Sequence, residues 1–211
     1  MDGYKDSDQQ IAECYIEKYG EEAYDKVKDI RIGDIYDFGL YEQDGNILNG
    51  REKIEWIVLD KRGAALLLIS RYVLEDEFYN WPVKAAVWED CSLRERLNEG
   101  FFNKAFRGEE QERIVRVPLK NGFRNNITED KVFLLSVKEA EKYFASDTER
   151  AAKERDEDGN FLRSSWWLRK SGKNIEQPAI VNKSGNIQKD GGDFEDSAGV
   201  RPAMWVLPIF Y

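Results

Sequence analysis

Histidine is absent from all 211 residues, which removes Ser-His-Asp and Cys-His nucleophilic centres, HExxH zinc sites and the histidine-based facial metal triad together. No GxxxxGK[ST] loop occurs and no GxGxxG follows a strand pattern, so the familiar phosphate cradles are missing. The two cysteines, Cys14 and Cys91, are far apart and form no CxxC spacing, which points to ordinary reduced thiols. Cys91 precedes a helix-start pattern that would lower a thiol pKa, but Glu89 and Asp90 beside it oppose the effect. Carboxylate chemistry is what remains. With 41 acidic residues, however, choosing a general acid and base from spacing alone is arbitrary. No catalytic residue, metal or cofactor is expected.

The positions that carry this chemistry belong to a chain with 41% apolar and 13% aromatic residues, enough to build a packed interior. A net charge of -9 repels phosphate backbones and anionic lipid, so neither nucleic acid nor membrane is an expected partner. No apolar run is long enough to cross a bilayer and residues 1–10 form no signal core, so the expected compartment is the cytoplasm.

Hydrophobic periodicity supplies the elements. Ser7 and Gln10 resemble a capping box ahead of Ile11, Tyr15, Ile16 and Tyr19, with Gly20 ending that helix, and Glu21 to Lys28 form a second. Ile54 to Leu59 and Ala64 to Ile69 read as strands joined by an Asp60–Gly63 hairpin, and the unbroken apolar run Leu66 to Ile69 belongs at a sheet centre. Ser92 with Glu95 and Ser136 with Glu139 form two more capping boxes, the latter following a short strand, Val132 to Leu135. Thr148 to Asn160 reads as a charged surface loop. Trp166 to Arg169, Ala179 to Asn182 and Gly199 to Trp205 read as the strands of a C-terminal β-meander.

Several of these segments together resemble a bacterial family of uncharacterised domains. They are Ser92-Leu93-Arg94 with Leu97-Asn98 and Ala105-Phe106, the Lys131 to Ser136 block, the WWLR of residues 166–169, the Ala179 to Asn182 block, and Val200 to Ala203. The resemblance covers roughly residues 30–207. That family is similar to the C-type-lectin-like fold shared by formylglycine-generating enzymes and by the hypervariable receptor proteins of diversity-generating retroelements. The resemblance implies an α+β, C-type-lectin-like mixed sheet with flanking helices over residues 30–211, preceded by a helical appendage, residues 1–29. Glu176-Gln177-Pro178 resembles the calcium-loop triplets of sugar-binding C-type lectins, but Ala179 stands where a carboxylate ligand belongs, so calcium is not expected. The cysteine pair of the formylglycine-generating enzymes has no counterpart in the spacing of Cys14 and Cys91.

The expectation is therefore recognition without catalysis, with the late loops presented to a protein, peptide or glycan. Candidate ligand contacts are Trp167, Lys173, Asn174, Glu176, Asn182, Asp190, Asp193 and Phe194. Trp166, Arg169, Arg201 and Trp205 are expected to be structural. The adjacent tryptophans should point to opposite faces of a strand, one inward and one toward a loop or solvent, and the two arginines should clamp backbone carbonyls. Two other readings stay open: a diverged enzyme of the formylglycine-generating class, and a structural module of a larger assembly.

Overall fold

In the computed structural model, which describes residues 3–121, 126–171, 177–192, 196–208 and 210, two five-stranded sheets share one apolar core. Helices α1 (Gly3–Tyr19) and α2 (Glu21–Asp29) precede strands β1 (Ile35–Tyr41), β2 (Glu52–Arg62), β3 (Ala65–Ser70) and β4 (Glu75–Phe78). A continuous helical stretch follows, made of α3 (Ser92–Glu95), a π-helical turn at Arg96–Phe101 and α4 (Phe102–Ala105). Next come α5 (Glu109–Arg113), β5 (Ile114–Val115), β6 (Val117–Lys120), β7 (Ile127–Asp130), α6 (Val137–Tyr143) and α7 (Asp147–Arg150). The chain ends with β8 (Ala152–Arg155), β9 (Phe161–Ser164), β10 (Trp166–Ser171), β11 (Pro178–Val181), β12 (Ile187–Gln188), β13 (Ser197–Val200) and β14 (Ala203–Val206). Among the described residues no helix is long and apolar enough to cross a membrane.

The first sheet is antiparallel in the order β1-β2-β3-β14-β5. All six residues of β3 are buried between β2 and β14, as its continuous apolar run requires. The second sheet, β12-β11-β10-β13-β4, is mixed, because β13 runs parallel to β10 while the other pairs are antiparallel. Of the late strands expected to form a meander, β10, β11 and β12 do so among the described residues. The expected final strand, Gly199 to Trp205, is in fact two strands in two sheets, divided at Arg201-Pro202. Proline has no N–H to give a central ladder, so the break falls where a single strand would have lost a bond.

Other expectations also change. The Thr148–Asn160 segment is not a loop: it forms α7 and then β8, which pairs with β9. The Asp156 side chain closes that hairpin by accepting from the N–H groups of Asp158 and Asn160. Val132 to Leu135 is buried, but it contributes one bridge, Phe133 to Ala203, instead of a strand. Ser7 lies inside α1, which begins at Gly3, so it is no N-cap. Ser92 makes no cap bond either, since Cys91 occupies the N-cap and the Ser92 hydroxyl accepts from the Trp81 N–H at 2.7 Å. The third box is present in full. Ser136 Oγ accepts from Glu139 N–H at 3.3 Å, and Glu139 Oε2 accepts from Ser136 N–H at 2.7 Å.

The N-terminal helices pack onto the same core. Tyr15 and Val27 are buried within it, the Tyr15 hydroxyl donates to the Pro208 carbonyl at 3.0 Å, and Lys61 Nζ donates to the carbonyls of Val27 and Ile30 at the end of α2. Gly63, at the β2–β3 turn, sets how closely α1 lies. Its φ is +54°, and a Cβ there would fall 2.2 Å from the Asp8 carbonyl oxygen. Gly63→Ala is expected to combine left-handed strain with displacement of α1 and to cost about 2–3 kcal/mol. Urea denaturation checks this, and a loss below about 0.5 kcal/mol, the range of an ordinary surface change, would mean that α1 accommodates the methyl group freely.

Candidate functional site

Strand β4 carries Glu75 and Glu77 two residues apart, so their side chains share one face. The π-helical turn presents Arg96 to both: Nη2 donates to Glu75 Oε2 at 2.5 Å, and Nη1 pairs with Glu77 Oε1. From the end of β1 the Tyr41 hydroxyl donates to the same Glu75 oxygen at 2.7 Å. Phe101, also in the π turn, backs the Tyr41 ring edge-on at 5.0 Å. A wider helical turn thus supplies both the cation and the aromatic wall that fix one carboxylate, in keeping with the frequent placement of such turns at functional sites.

Glu75 is held entirely through Oε2. Its other oxygen, Oε1, is buried without a hydrogen-bond partner among the described residues, and Glu42 Oε1 is in the same condition. Both residues line a cleft of about 670 Å³ together with Tyr41, Ile47, Gly50, Arg51 and Lys104. Ile47 is 80% exposed on the connection between β1 and β2. On the basic side, Arg51 Nη1 donates to the Lys104 carbonyl at 2.6 Å, which anchors the guanidinium next to α4.

Burial raises the Tyr41 phenol well above its ordinary value and the Glu75 carboxylate raises it further, so it stays a neutral donor at physiological pH. Burial likewise raises Glu77, with the Arg96 charge opposing and Glu75 and Asp76 reinforcing. Glu42 is raised by burial and by the neighbouring Asp44 and Glu52, whereas Asp44 is lowered by the donors Asn46 N–H and Asn49.

Glu42, Asp44 and Glu52 place carboxylate oxygens within 4.8 Å of one another, the spacing of a potential cation cluster. Two of the three, Asp44 and Glu52, are already engaged in shaping the loop. Asp44 accepts from Asn46 N–H and Asn49 Nδ2, and Glu52 Oε2 accepts from Gln43 N–H at 2.9 Å. Three carboxylates, two of them partly committed, fall well short of the six to eight oxygens that calcium takes, so the donor set reads as loop closure.

The residues expected from sequence that the structure describes do not line this cleft. Trp166 and Trp167 do point to opposite sides of β10, but both sides are covered. Each is 0% exposed, and their indole N–H groups donate to the carbonyls of Arg150 and Glu77. Trp167 therefore offers no stacking face to a ligand. Arg169 and Arg201 are buried against carbonyls, and Trp205 is buried beneath the Arg62 guanidinium. Asn182 closes the turn after β11 by accepting from Ser184 and Asn186 N–H groups, and Asp190 is exposed in the turn after β12. Lys173, Asn174, Glu176, Asp193 and Phe194 lie outside the described residues. The two thiols have unlike surroundings: Cys14 is exposed on α1, while Cys91 is buried, donates to the Trp88 carbonyl, and is pushed by burial up to about 12.

The cleft residues Tyr41, Glu42 and Glu75, and Arg96 that holds Glu75, were not among the sequence candidates. The Glu75-x-Glu77 alternation was the available signal, but only the fold brings Arg96 and Tyr41 to it. The family described as Domain of unknown function (DUF6273) matches residues 63–208, more than half of the chain. The chain belongs to that family. The DUF6273 match takes in Glu75, Arg96 and Lys104, while Tyr41, Glu42 and Arg51 come from strands and loops that precede it. No curated protein and no solved structure matches the chain.

Proposed function

We propose that this chain is a non-catalytic recognition domain on a C-type-lectin-like scaffold, with its ligand held in the Tyr41–Glu75 cleft. The scaffold reading draws on the return of β14 to the interior of the first sheet, between β3 and β5, and on the mixed second sheet. The observation that carries the binding reading is Glu75 itself. Two donors fix its Oε2 and leave Oε1 buried without one among the described residues, a condition that costs about 1–3 kcal/mol unless a ligand or water supplies the bond. An acceptor oriented before binding is what a recognition site requires.

Ligand-observed NMR with a fragment library tests this. Binders should compete for one site and lose about tenfold or more in affinity in Glu75→Gln, the penalty for removing a charged acceptor. Binding that ignores this change and instead follows Asn182 or Asp190 would return the site to the late loops.

A second reading, a carboxylate-dependent enzyme diverged from the formylglycine-generating class, is favoured by one fact: Glu42, held protonated more readily than usual, shares the cleft with Glu75. Such a pair is what general acid catalysis across a scissile bond employs. Turnover of aryl glycosides that disappears in Glu42→Gln would support this reading, whereas binding without turnover favours recognition.

A further inference from the structure

We propose that the ligand of this cleft is a small zwitterion, a free amino acid or short peptide, with its ammonium group on Glu75 and Glu42 and its carboxylate on Lys104 and Arg51. The inference rests on the reading of the cleft as the binding site and adds the chemistry of the occupant. The cleft walls carry charge of both signs. Two of its carboxylate oxygens are buried with no donor among the described residues. The same lining includes Arg51 and Lys104, neither of which pairs with a carboxylate among the described residues, and the hydrogen bond from Arg51 to the Lys104 backbone carbonyl places its guanidinium beside α4.

Each simpler ligand leaves one sign of charge unanswered. A metal ion would satisfy the acids but would face Arg51, Lys104 and Arg96, and it would find the oxygens of Asp44 and Glu52 already committed to Asn46, Asn49 and Gln43. A simple anion would suit the cations but would meet Glu42 and Glu75. A neutral sugar could donate hydroxyls to the carboxylates, yet it would desolvate a guanidinium and an ammonium without returning charge to them. A primary ammonium supplies three donors, and a carboxylate accepts from guanidinium and ammonium alike, so a zwitterion meets both signs of charge with charge-assisted bonds. The Tyr41 ring and Ile47 provide apolar surface for the part of the molecule between its two ends.

The test is calorimetric titration of the intact chain with each of the twenty common L-amino acids, dialanine and trialanine. The tightest binder is then compared with its N-acetylated and its C-amidated forms. Both capped forms should bind at least tenfold more weakly than the parent. Glu75→Gln and Lys104→Gln should each weaken the parent by about ten- to a hundredfold. Lys104 is exposed, so its variant keeps the test valid even where Glu75→Gln disturbs Tyr41 and Arg96, and circular dichroism melting confirms the fold of both. Three results would overturn the proposal. If a capped form binds as well as its parent and still depends on Glu75, the cleft stands and the zwitterion does not. If no amino acid or peptide binds but fragments bind in a Glu75-dependent manner, the ligand is of another class and the cleft again stands. If nothing binds in a manner that depends on Glu75 or Lys104, the zwitterion and the cleft fall together.

Discussion

Replacement of Glu139 by glutamine is expected to remove about 3 kcal/mol of stability at neutral pH. Glu139 is the third residue of α6, and its carboxylate does two things. Its Oε2 accepts from the Ser136 N–H at 2.7 Å and from Arg169 Nη1 at 2.7 Å, while Oε1 accepts from Arg169 Nη2 at 3.3 Å. The Arg169 side chain is 4% exposed, its Nη1 also serves the Leu134 carbonyl, and its Nε has no acceptor among the described residues. Glutamine can keep the capping bond, but it leaves a buried guanidinium without the only carboxylate that pairs with it among the described residues. The loss should therefore exceed that of a cap alone, about 1 kcal/mol.

The same pair sets a pH dependence. Burial pushes the Glu139 carboxyl up, but the Arg169 charge and the Ser136 donor outweigh it, so the folded-state value lies below the ordinary one. A carboxyl with a depressed folded pKa stabilises the fold fully above its unfolded value, about 4.3, and that contribution disappears as pH falls through the folded value. Wild type and Glu139→Gln should accordingly differ most at pH 6–7 and converge toward pH 3, measured as urea midpoints across that range. An equal gap at both ends would mean that the pair contributes through shape and not through charge.

What the sequence made legible was what is local. Ser136 and Glu139 are one turn apart, so their reciprocal bonds follow from spacing, and the unbroken Leu66–Ile69 run after the Asp60–Gly63 turn reads as a strand covered on both faces. The β8–β9 hairpin was hidden because Lys153, Glu154, Arg155 and Arg163 give it no alternating apolar face, and its pairing is set by the turn at Asp156. Alternation placed Trp166 and Trp167 on opposite sides of β10, but periodicity cannot say that both sides are covered. The cleft was the least legible feature. Tyr41 and Glu75 are 34 positions apart and Arg96 lies a further 21 beyond Glu75, so their convergence depends on strand pairing and on a π turn that no spacing rule announces.

The division between β13 and β14 has a buried charge at its centre, and it leads to an inverted expectation: at Arg201 the conservative replacement should be the worse one. Arg201 is 1% exposed, and no carboxylate among the described residues pairs with it. Its Nε donates to the Ser70 carbonyl at 3.1 Å, its terminal nitrogens reach the carbonyls of Arg150 and Arg71 at 3.5 Å, and the guanidinium lies 4.8 Å from the Trp166 ring and 5.6 Å from Phe144. Burial alone pushes it down to about 9, still ionised at neutral pH. A guanidinium tolerates this site because it is weakly hydrated, planar enough to stack on two rings, and able to reach three carbonyls that tie β3 and α7 to the strand junction. Lysine keeps the charge but concentrates it on a strongly hydrated ammonium that cannot stack, so Arg201→Lys should lose about 3–4 kcal/mol. Methionine fills similar space without any charge to desolvate, and the Arg150 carbonyl keeps its bond from the Trp166 indole, so Arg201→Met should lose only about 1–2 kcal/mol. The lysine variant carries its own signature. A base whose folded pKa is depressed is favoured in its neutral form by folding, so the unfolded state holds more protons and stability should rise from pH 7 to pH 10. Methionine at the same position should show no such rise, and denaturant midpoints for the two variants across that interval decide the matter. If lysine proves the milder change, the site holds water or an anion that relieves the charge.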